Sequence, residues 1–425
     1  MEDVIIIGAG VAGLTAALAL KRAGYSYRIL EACDAPGGRA RSRQLPSGVV
    51  ADLGAHWLHG GVDNALKTEV DRYGLKYRED KAQAARVYED GQLRTEDIAA
   101  WLDDAIDHDK ASGVKRGELH DCPLPELAKD DHARRLLSKF AVMWDGIDPP
   151  LQPSAREYLT DENTPGGLQI DGGMHSLIGR MAEEAGTDRI HLRTSVARVI
   201  QTKAEGMPCV RVEAMDGSTW LARRAIFTAS LGVLQSGMVR FTPGFSSAFH
   251  EHLGGLVMGK VNKIIIELDP AFVRERDIPV DMSIEQLDAQ PPHFAHVHSA
   301  GQPLIQLYVS GEQAEAVEGL TPDEALAYVQ TVLSPIDILK GFEAHVVSPP
   351  IATRWVASPY TRGSYSSCLP GARRSGPRVE GLVTFCGDTF DDRFPASMAG
   401  AYRSAQAGAQ LVIDDLIKAR ESEPA

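Results

Sequence analysis

The first 31 residues constrain the fold of this chain more than any other part of the sequence. Residues 4–7 (VIII) are β-branched, which is typical of a parallel strand that is buried on both faces. The glycine-rich segment GAGVAG follows at once, residues 14–23 have a helix-forming composition, and Gly24 is a suitable C-terminal cap. A second strand over residues 27–30 ends at Glu31, 18 residues after Gly13. The sequence therefore predicts a βαβ unit with the glycine spacing of a dinucleotide-binding turn.

Each glycine of that turn has its own physical task. Gly8 permits the tight turn, Gly10 lets the backbone approach a pyrophosphate, and Gly13 lets the helix pack closely on the strand. The helix N-terminus adds N–H donors and a partial positive charge. A carboxylate at Glu31 accepts hydrogen bonds from both ribose hydroxyls and repels a 2′-phosphate, so NADPH is disfavoured at this site.

The length and the net charge of the chain limit the number of domains and the kinds of binding partner. The 425 residues exceed the roughly 250–300 at which a single core stops growing, so we expect two domains. A net charge of −14 argues against nucleic acid or an anionic membrane as partner, because both bind basic surfaces, and it is compatible with a small cationic substrate. Three glycines interrupt the uncharged residues 4–20, so neither a membrane span nor a signal peptide is expected.

The cysteines indicate a reducing compartment, and we expect the protein to be cytoplasmic. The chain has five cysteines that are far apart in sequence, with no CxxC spacing. No disulfide framework, zinc site or other metal site is predicted from them. They are Cys33, Cys122, Cys209, Cys368 and Cys386.

The rest of the sequence alternates predicted strands and helices, which indicates an α/β chain. Residues 82–155 have a mostly helical, polar pattern. Helices are predicted at residues 174–185, at 322–333 with Thr321 as N-cap, and after residue 404. Strands are predicted within residues 190–215 and at residues 225–228, 263–268, 304–309 and 382–386.

Motifs along almost the whole chain resemble the flavin-containing amine oxidases, most closely their polyamine oxidase branch. GAGVAGL, Glu31 and GGRAR at residues 37–41 are similar to the glutathione-reductase-like flavoproteins. The amine oxidase resemblance rests on five further segments in the family's order. They are DLGAHWLHG (52–60), TASLGVL (228–234), MGKVNK (258–263), RW through PYTRGSYS (354–366) and FCGD through GA (385–401).

The resemblance implies an α/β fold with a glutathione-reductase-like Rossmann domain that binds FAD. An inserted substrate domain would have a mixed sheet and helices. We expect the FAD-binding domain to comprise residues 1–80, 168–245 and 354–425, and the substrate domain residues 81–167 and 246–353. Since no second GxGxxG follows a strand, we predict that the substrate itself is the electron donor.

The resemblance also implies catalytic residues. Lys263 matches the family lysine that reaches flavin N5 through a water, where a cation stabilises the negative charge that develops on O2. Lys260 is the rival assignment, but the family spacing from Gly259 favours Lys263. Tyr365 matches the first aromatic residue of a cage that orients the amine and helps keep it neutral. The second cage position falls at Ser397, as in polyamine oxidases and histone demethylases.

Two further residues follow from the same comparison of motifs. His59 matches a histidine near the flavin in several polyamine oxidases, where it would contact the amine or relay a proton. Ser364 occupies the position of the flavin-linking cysteine of monoamine oxidases, so FAD is expected to bind non-covalently.

A set of residues is implied to contact the cofactor. Asp388 stands where the family usually has a glutamate that binds a ribitol hydroxyl, and Met398 begins a helix aimed at the flavin C2 carbonyl. Trp355 is expected at the flavin edge and Val196 on the adenine side. The full set comprises Gly8, Gly10, Gly13, Glu31, Gly38, Arg39, Val196, Trp355, Gly387, Asp388 and Met398.

The expected reaction is oxidation of a small-molecule amine. A hydride passes from the carbon next to nitrogen to flavin N5, the imine hydrolyses to an aldehyde, and O2 reoxidises the cofactor to give hydrogen peroxide. Three different functions stay open: an L-amino-acid oxidase, a flavin-dependent desaturase of C–C bonds that uses another acceptor, and a protein in which FAD is structural. The sequence leaves the oligomeric state and the identity of the amine open.

Overall fold

The predicted βαβ unit forms the start of a large sheet. The computed structural model describes residues 1–80, 85–89, 92–95, 98–163, 166–287, 289 and 292–421. The first strand spans Glu2–Ile7, the first helix Val11–Arg22 and the second strand Tyr27–Leu30, and the two strands pair in parallel. The predicted unit is therefore confirmed, with the helix beginning three residues earlier than the composition indicated.

In chain order the strands are β1 (Glu2–Ile7), β2 (Tyr27–Leu30), β3 (Ser42–Gln44), β4 (Val50–Asp52), β5 (Tyr77–Asp80), β6 (Ala85–Glu89), β7 (Gln92–Thr95), β8 (Gly167–Ile170), β9 (Ile190–His191), β10 (Val196–Ala204), β11 (Met207–Ala214), β12 (Thr219–Phe227), β13 (Arg240–Thr242), β14 (Leu256–Met258), β15 (Val261–Glu267), β16 (Met282–Gln286), β17 (His293–Val297), β18 (Leu304–Ser310), β19 (Ile351–Ala352), β20 (Ser366–Cys368), β21 (Arg378–Glu380) and β22 (Val383–Phe385).

The helices are α1 (Val11–Arg22), α2 (Lys67–Arg72), α3 (Ile98–Ala105), α4 (His108–Arg116), α5 (Asp131–Asp145), α6 (Ala155–Thr160), α7 (Met174–Ala185), α8 (Leu231–Gln235), α9 (Ser247–Gly254), α10 (Pro270–Glu275), α11 (Glu312–Ala316), α12 (Pro322–Leu333) and α13 (Met398–Glu421). No helix in these described parts of the chain is long and apolar enough to cross a membrane.

A nine-stranded sheet contains the glycine-rich turn. Its main path is β13-β10-β11-β12-β1-β2-β9, and β22 adds to β12 and carries β21. Strand β1 is buried along Val4–Ile7 because α1, α7 and α13 pack on one face of the sheet and a second apolar cluster covers the other. The turn after β1 is thereby fixed at the carboxyl edge of parallel strands, where nucleotides bind in open α/β sheets.

A seven-stranded sheet forms the second layer, in the order β19-β15-β18-β17-β16-β6-β7. One of its faces packs against α10 and α12 through residues such as Ile264, Leu307 and Ala295. The strands of this sheet lie within the two sequence ranges expected for a substrate domain. The division into two domains itself stays a prediction.

Two predictions about local structure have different outcomes. Helix α12 has the predicted bounds, and Thr321 and Glu324 form a reciprocal capping box at its start. The mostly helical pattern of residues 82–155 is wrong over Ala85–Glu89 and Gln92–Thr95, which are strands. These short polar segments become strands because β6 pairs with β16 in the second sheet, a long-range contact that local composition does not encode.

Candidate active site

One cavity connects the glycine-rich turn with the flavin-facing residues that the motifs predict. Its wall includes Gly8, Gly10 and Glu31 from the first sheet and Lys263 and Tyr365 from the region of the second. The other predicted residues on this wall are Gly38, Arg39, Val196, Trp355, Asp388 and Met398. Gly13, Gly387 and His59 are not among the lining residues.

The glycine turn has the shape that a pyrophosphate needs. A Cβ atom at Gly13 would lie 1.9 Å from the carbonyl oxygen of Gly8, so only glycine allows α1 to approach β1 this closely. Gly8 has a φ of 103°, and a Cβ there would lie 2.7 Å from Thr228 Oγ1. At Gly10, in contrast, the nearest atom to an added Cβ is 4.0 Å away, and α1 begins there without a side-chain cap. A phosphate therefore has both space and N–H donors at Gly10.

Glu31 is placed for the ribose end of a dinucleotide. The side chain is buried, and its two oxygens accept hydrogen bonds from the backbone N–H groups of Ala9 at 2.7 Å and Cys33 at 2.8 Å. These bonds fix the orientation of the carboxylate and leave acceptor capacity on both oxygens, since an ionised carboxylate has about four lone-pair sites. The cavity residues at this end thus fit FAD.

Arg39 and Asp388 form an ion pair on the cavity wall. Nη2 of Arg39 donates to Oδ1 of Asp388 at 2.6 Å, and Nη1 donates to the backbone carbonyl of Ser364 at 2.6 Å. The pair connects the GGR segment to the segment of Tyr365 and to the turn before α13. The side chain of Asp388 is therefore held by a cation as well as exposed to the cavity.

Lys263 is a buried cation candidate beside this cavity. Its side chain is only 3% exposed, and Nζ donates to the carbonyl of Asp52 and to Oε1 of Gln306, both at 3.1 Å. Burial lowers the pKa of Lys263 to about 7, although the charge of Asp52 opposes the fall. The rival Lys260 points elsewhere and pairs with Asp148 and with Glu315, 2.5 Å away.

A histidine and a carboxylate support the backbone that holds Lys263. Nδ1 of His56 donates to Oδ2 of Asp52 at 3.1 Å, while Nε2 accepts from the hydroxyl of Ser299 at 2.7 Å. Burial lowers the pKa of His56 to about 4, so the imidazole is neutral at pH 7. Burial raises the pKa of Asp52, but hydrogen bonds from His56 and Ser42 outweigh it and lower the pKa overall.

The aromatic wall beside Lys263 contains a residue that the motifs did not predict. Tyr308 lines the cavity, its ring centre lies 4.7 Å from Lys263 Nζ, and its buried hydroxyl has no hydrogen-bond partner among the described residues. Tyr365 packs against the same apolar cluster. Ser397 also lines the cavity, but its hydroxyl donates to the carbonyl of Phe394.

Trp57 contacts Tyr308, although it does not itself line the cavity, and a buried polar cluster holds it. Its ring stacks on that of Tyr308 at 6.5 Å, and its indole N–H donates to Asp80 at 2.7 Å. Asp80, Asp281 and His296 bring ligand-type atoms within 4.8 Å of one another. Oxygens of both carboxylates already accept hydrogen bonds from protein donors, including Trp57 and the amide of Gln169. Through the hydrogen bond from Trp57 to Asp80, the cluster fixes the orientation of Trp57, which contacts Tyr308.

His59, unlike Lys263 and Tyr365, is not among the residues that line the cavity. Nδ1 of His59 is 2.9 Å from the carbonyl of Gly166, and its own carbonyl accepts from Asn64. Its ring lies 6.0 Å from that of Trp57. A catalytic role for His59 therefore stays a prediction without support from the cavity wall.

A family model for flavin-containing amine oxidoreductases matches residues 11–125 and 130–413. The chain belongs to this family. The protein is accordingly an FAD-dependent oxidoreductase that acts on CH–NH or CH–NH2 groups. Since the residues at the glycine turn and at Glu31 fit the cofactor, the family assignment and the geometry agree.

Known members of the family resemble the chain over nearly its full length. Polyamine oxidase 4 of Oryza sativa subsp. japonica is 28% identical over 472 aligned residues, which cover 99% of this chain and 92% of that protein. Lysine-specific histone demethylase 1 homolog 1 of Arabidopsis thaliana is 24% identical, and the matched region covers 97% of this chain and 52% of the demethylase. These similarities agree with the polyamine oxidase branch that the motifs indicated.

Solved structures of amine oxidases share the fold. Putrescine oxidase bound to putrescine has a TM-score of 0.78 at 21% identity, with 97% of this chain and 99% of that chain covered. Cyclohexylamine oxidase from Brevibacterium oxydans has the same TM-score and identity, with 98% and 99% covered. The predicted α/β flavoprotein fold is confirmed.

Sequence reasoning missed Tyr308 and Gln306, although the sequence carries a signal for both. In LIQLYVS, the polar residues Gln306, Tyr308 and Ser310 alternate with apolar ones. In a buried strand, this alternation indicates that the polar side chains share one face of the sheet. The strand pairing places Tyr308 directly opposite Lys263. Only that register shows which polar side chains lie on the same face as Lys263.

Proposed function

We propose that the protein oxidises a small amine at the carbon next to nitrogen and uses O2 as the electron acceptor. The observation that carries the proposal is the single cavity that joins the nucleotide-binding turn to Lys263 and Tyr365. When bound, FAD accepts a hydride from that carbon and passes the two electrons to O2, giving hydrogen peroxide. The imine left from the substrate hydrolyses to an aldehyde and an amine or ammonia.

In this proposal the protein holds the cofactor by contacts along the cavity. The N-terminus of α1 at Gly10 would hold the pyrophosphate, and Glu31 would accept hydrogen bonds from the ribose hydroxyls. Arg39 and Asp388 would hold the ribitol, and the N-terminus of α13 at Met398 would stabilise negative charge at the flavin C2 carbonyl. Ser364 has no thiol to form a link, so FAD binds non-covalently.

The aromatic residues orient the amine and exclude water. Loss of a hydride from carbon requires the neutral amine, because the nitrogen lone pair must assist, and an apolar wall lowers the pKa of a bound ammonium. Tyr365 and Tyr308 line the same cavity. Tyr308 belongs to an apolar cluster, and Tyr365 packs against that cluster. Ser397, at the second cage position, is not aromatic. We therefore assign the second aromatic side chain of the substrate site to Tyr308.

Lys263 serves the oxidative half of the reaction. Its ammonium group stabilises the negative charge that develops on O2 as O2 is reduced. Hydrogen bonds to Asp52 and Gln306 fix the position of Nζ, so the cation is preorganised. In a C–C desaturase that uses another electron acceptor, this buried lysine would have no role in the reaction.

The arginines of the cavity argue against an L-amino-acid oxidase, which needs a free guanidinium for the substrate carboxylate. Among the described residues that line the cavity, the arginines are Arg39 and Arg41. Arg39 pairs with Asp388, and Arg41 lies 3.5 Å from Asp34 beside the GGR segment. Arg39 is thus already bound to a carboxylate, and Arg41 belongs to the GGRAR segment that the motifs assign to the cofactor.

The cysteines support the proposed cytoplasmic location. All five are unpaired thiols in the structure. Free thiols persist in reducing compartments, whereas oxidising compartments favour disulfides.

The test is anaerobic reduction of the bound flavin by a panel of amines. The purified holoenzyme is mixed without O2 with polyamines, monoamines, N-methyl amines and L-amino acids, and the absorbance of oxidised flavin near 450 nm is recorded by stopped flow. We expect rapid bleaching by one class of amine, followed by reoxidation and hydrogen peroxide when O2 is admitted. Bleaching by amino acids alone would favour the L-amino-acid oxidase, and no bleaching by any of the compounds would remove the amine assignment.

A further inference from the structure

Three buried side chains with metal-ligand chemistry meet where the pair β5–β8 contacts the second sheet. Asp80 ends β5, Asp281 directly precedes β16, and His296 lies in β17. All three are buried, and their possible ligand atoms lie within 4.8 Å of one another. Because they come from segments that are far apart in sequence, no motif spacing predicts the cluster.

The imidazole of His296 is buried without a hydrogen bond. Its side chain is only 1% exposed, and neither ring nitrogen has a hydrogen-bond partner among the described residues. Nε2 lies 3.6 Å from Oδ2 of Asp80 and 3.8 Å from Oδ1 of Asp281. Hydrogen bonds between nitrogen and oxygen are about 2.7–3.2 Å long, so both separations are too long for one. Nε2 therefore faces two carboxylates across a gap that no hydrogen bond closes.

The same separations suit an ion that the three atoms share. Zn²⁺ lies about 2.0–2.2 Å from nitrogen and oxygen ligands, so two ligands of one ion are about 3–4 Å apart. Imidazole nitrogen and carboxylate oxygen are both ligands that Zn²⁺ accepts. Ca²⁺ takes about six to eight oxygen ligands, and Mg²⁺ retains several waters, so a buried site with a nitrogen ligand favours Zn²⁺ over either.

The amide of Gln169 offers a fourth ligand. Its Nε2 lies 3.0 Å from Oδ1 of Asp281 and 3.5 Å from Oδ2 of Asp80. Its Oε1 is buried and has no hydrogen-bond partner in the described parts of the chain. Half a turn of the amide group exchanges these two atoms, and Oε1 then faces the space between the carboxylates. Four ligands satisfy the tetrahedral preference of Zn²⁺.

We propose that Asp80, Asp281 and His296 bind one Zn²⁺ ion, with the amide oxygen of Gln169 as the fourth ligand. Four protein ligands leave no open position, which is typical of a structural zinc site. The ion takes no part in the proposed amine oxidation, and its binding does not depend on that reaction.

The ion connects the end of β5 with two strands of the second sheet. Asp80 also accepts a hydrogen bond from the indole of Trp57, and the ring of Trp57 stacks on that of Tyr308. Groups that orient metal ligands, and ligands that orient their neighbours, act through such hydrogen bonds. Bound Zn²⁺ therefore stabilises the aromatic side chains beside Lys263 without contacting the cavity.

The first test measures the metal content of the holoenzyme. The purified protein is treated with EDTA, incubated with excess Zn²⁺, Mg²⁺ or Ca²⁺ and desalted, and the metal is then measured by mass spectrometry. We expect about one Zn²⁺ per chain and no retained Mg²⁺ or Ca²⁺. A hundredfold excess of free Zn²⁺ over its dissociation constant should raise the melting temperature by about 3 °C. A protein that retains no Zn²⁺ overturns the proposal and leaves His296 to be protonated between two carboxylates.

Two variants and a matched control locate the ion. His296→Phe keeps an aromatic ring but removes Nε2, and Asp281→Asn removes one charged ligand, so both should lose the bound Zn²⁺ and the rise in melting temperature. His252→Phe is the control. Nε2 of His252 is also buried without a partner among the described residues, but the charges near it are those of Arg374 and Arg378. Unchanged zinc content in the first two variants, or loss in the control, overturns the proposal.

Gln169→Glu gives a result that a folding defect cannot imitate. The variant adds a third carboxylate to the cluster, so without metal it should melt below the wild-type protein. Since the new carboxylate is a stronger ligand than the amide, Zn²⁺ should raise its melting temperature by more than it raises that of the wild type. An equal or smaller rise would place the ion elsewhere in the protein and overturn the proposal.

Discussion

The two ends of the cavity are built in different ways. At the nucleotide end, the glycine turn and the Glu31 carboxylate form the core of the candidate site, and Gly8, Gly10, Gly13 and Glu31 lie within one contiguous segment from β1 to Glu31. At the substrate end, side chains form the site, and Lys263, Tyr308 and Tyr365 come from three segments that are distant in sequence. The first end is specified by spacing, whereas the second depends on the register of a sheet.

This difference predicts how well each end of the cavity tolerates amino-acid substitution. The nucleotide turn requires residues without a side chain. At Gly13, for example, a Cβ atom would clash with the backbone of Gly8. The substrate end depends on charge and apolar surface, which a substitution can change without a backbone clash. Substitutions at the first end should therefore remove the cofactor, while substitutions at the second should alter single kinetic steps.

The largest effect is expected for Gly13→Ala. The added Cβ would lie 1.9 Å from the Gly8 carbonyl oxygen, so α1 must move away from β1 and the N–H donors at Gly10 shift with it. The purified variant should contain almost no FAD, as measured by the ratio of absorbance at 450 and 280 nm. Gly179→Ala in α7 is the control, because a Cβ at Gly179 meets no atom within 4 Å and flavin content should be normal. Full flavin content in Gly13→Ala would contradict the role of the turn.

Lys263→Met should have the next largest effect, confined to one half-reaction. Met keeps the apolar stem but removes the ammonium group, so the rate of reoxidation by O2 should fall about a hundredfold. Flavin reduction by amine should change by less than about tenfold, because Tyr365 and Tyr308 remain. Stopped-flow traces of the two half-reactions give both rates separately. Equal losses in the two would show that Lys263 is structural, and Lys260→Met, at the half-buried rival position, should alter neither.

The same contrast explains what the sequence could predict. Local signals were sufficient for β1, α1 and β2 and for α12 with its Thr321 cap, whereas Lys263 was singled out only by its match to the family motif. They were insufficient for β6, which pairs with β16, and for β7, which pairs with β6 at the edge of the sheet. Tyr308 was missed because its place opposite Lys263 is a property of the pairing between β15 and β18. The catalytic role of His59 stays a prediction, since its motif matches but its side chain is not among those that line the cavity.

The smallest effect is a pH dependence that only the substrate end should have. The lysine is charged below its pKa of about 7 and neutral above it. The reoxidation rate should therefore be highest below pH 7 and fall as the pH rises to 9. The fall should be about tenfold, smaller than in Lys263→Met, because the neutral amine can still donate a hydrogen bond and Met cannot. His56 has a pKa of about 4 and so stays neutral through this window, which leaves Lys263 as the titrating group among these neighbours.

Two variants separate this titration from any other group in the protein. Lys263→Arg keeps a charge throughout the range, because a guanidinium does not lose its proton there, and Lys263→Met has none to lose. Both should give a flat profile of reoxidation rate against pH, the first at a higher level than the second. A fall with midpoint near pH 7 that persists in both variants would assign the titration elsewhere. Flavin content should be constant across the same pH range in all three proteins, because the proposed cofactor contacts at Gly10 and Glu31 do not involve Lys263.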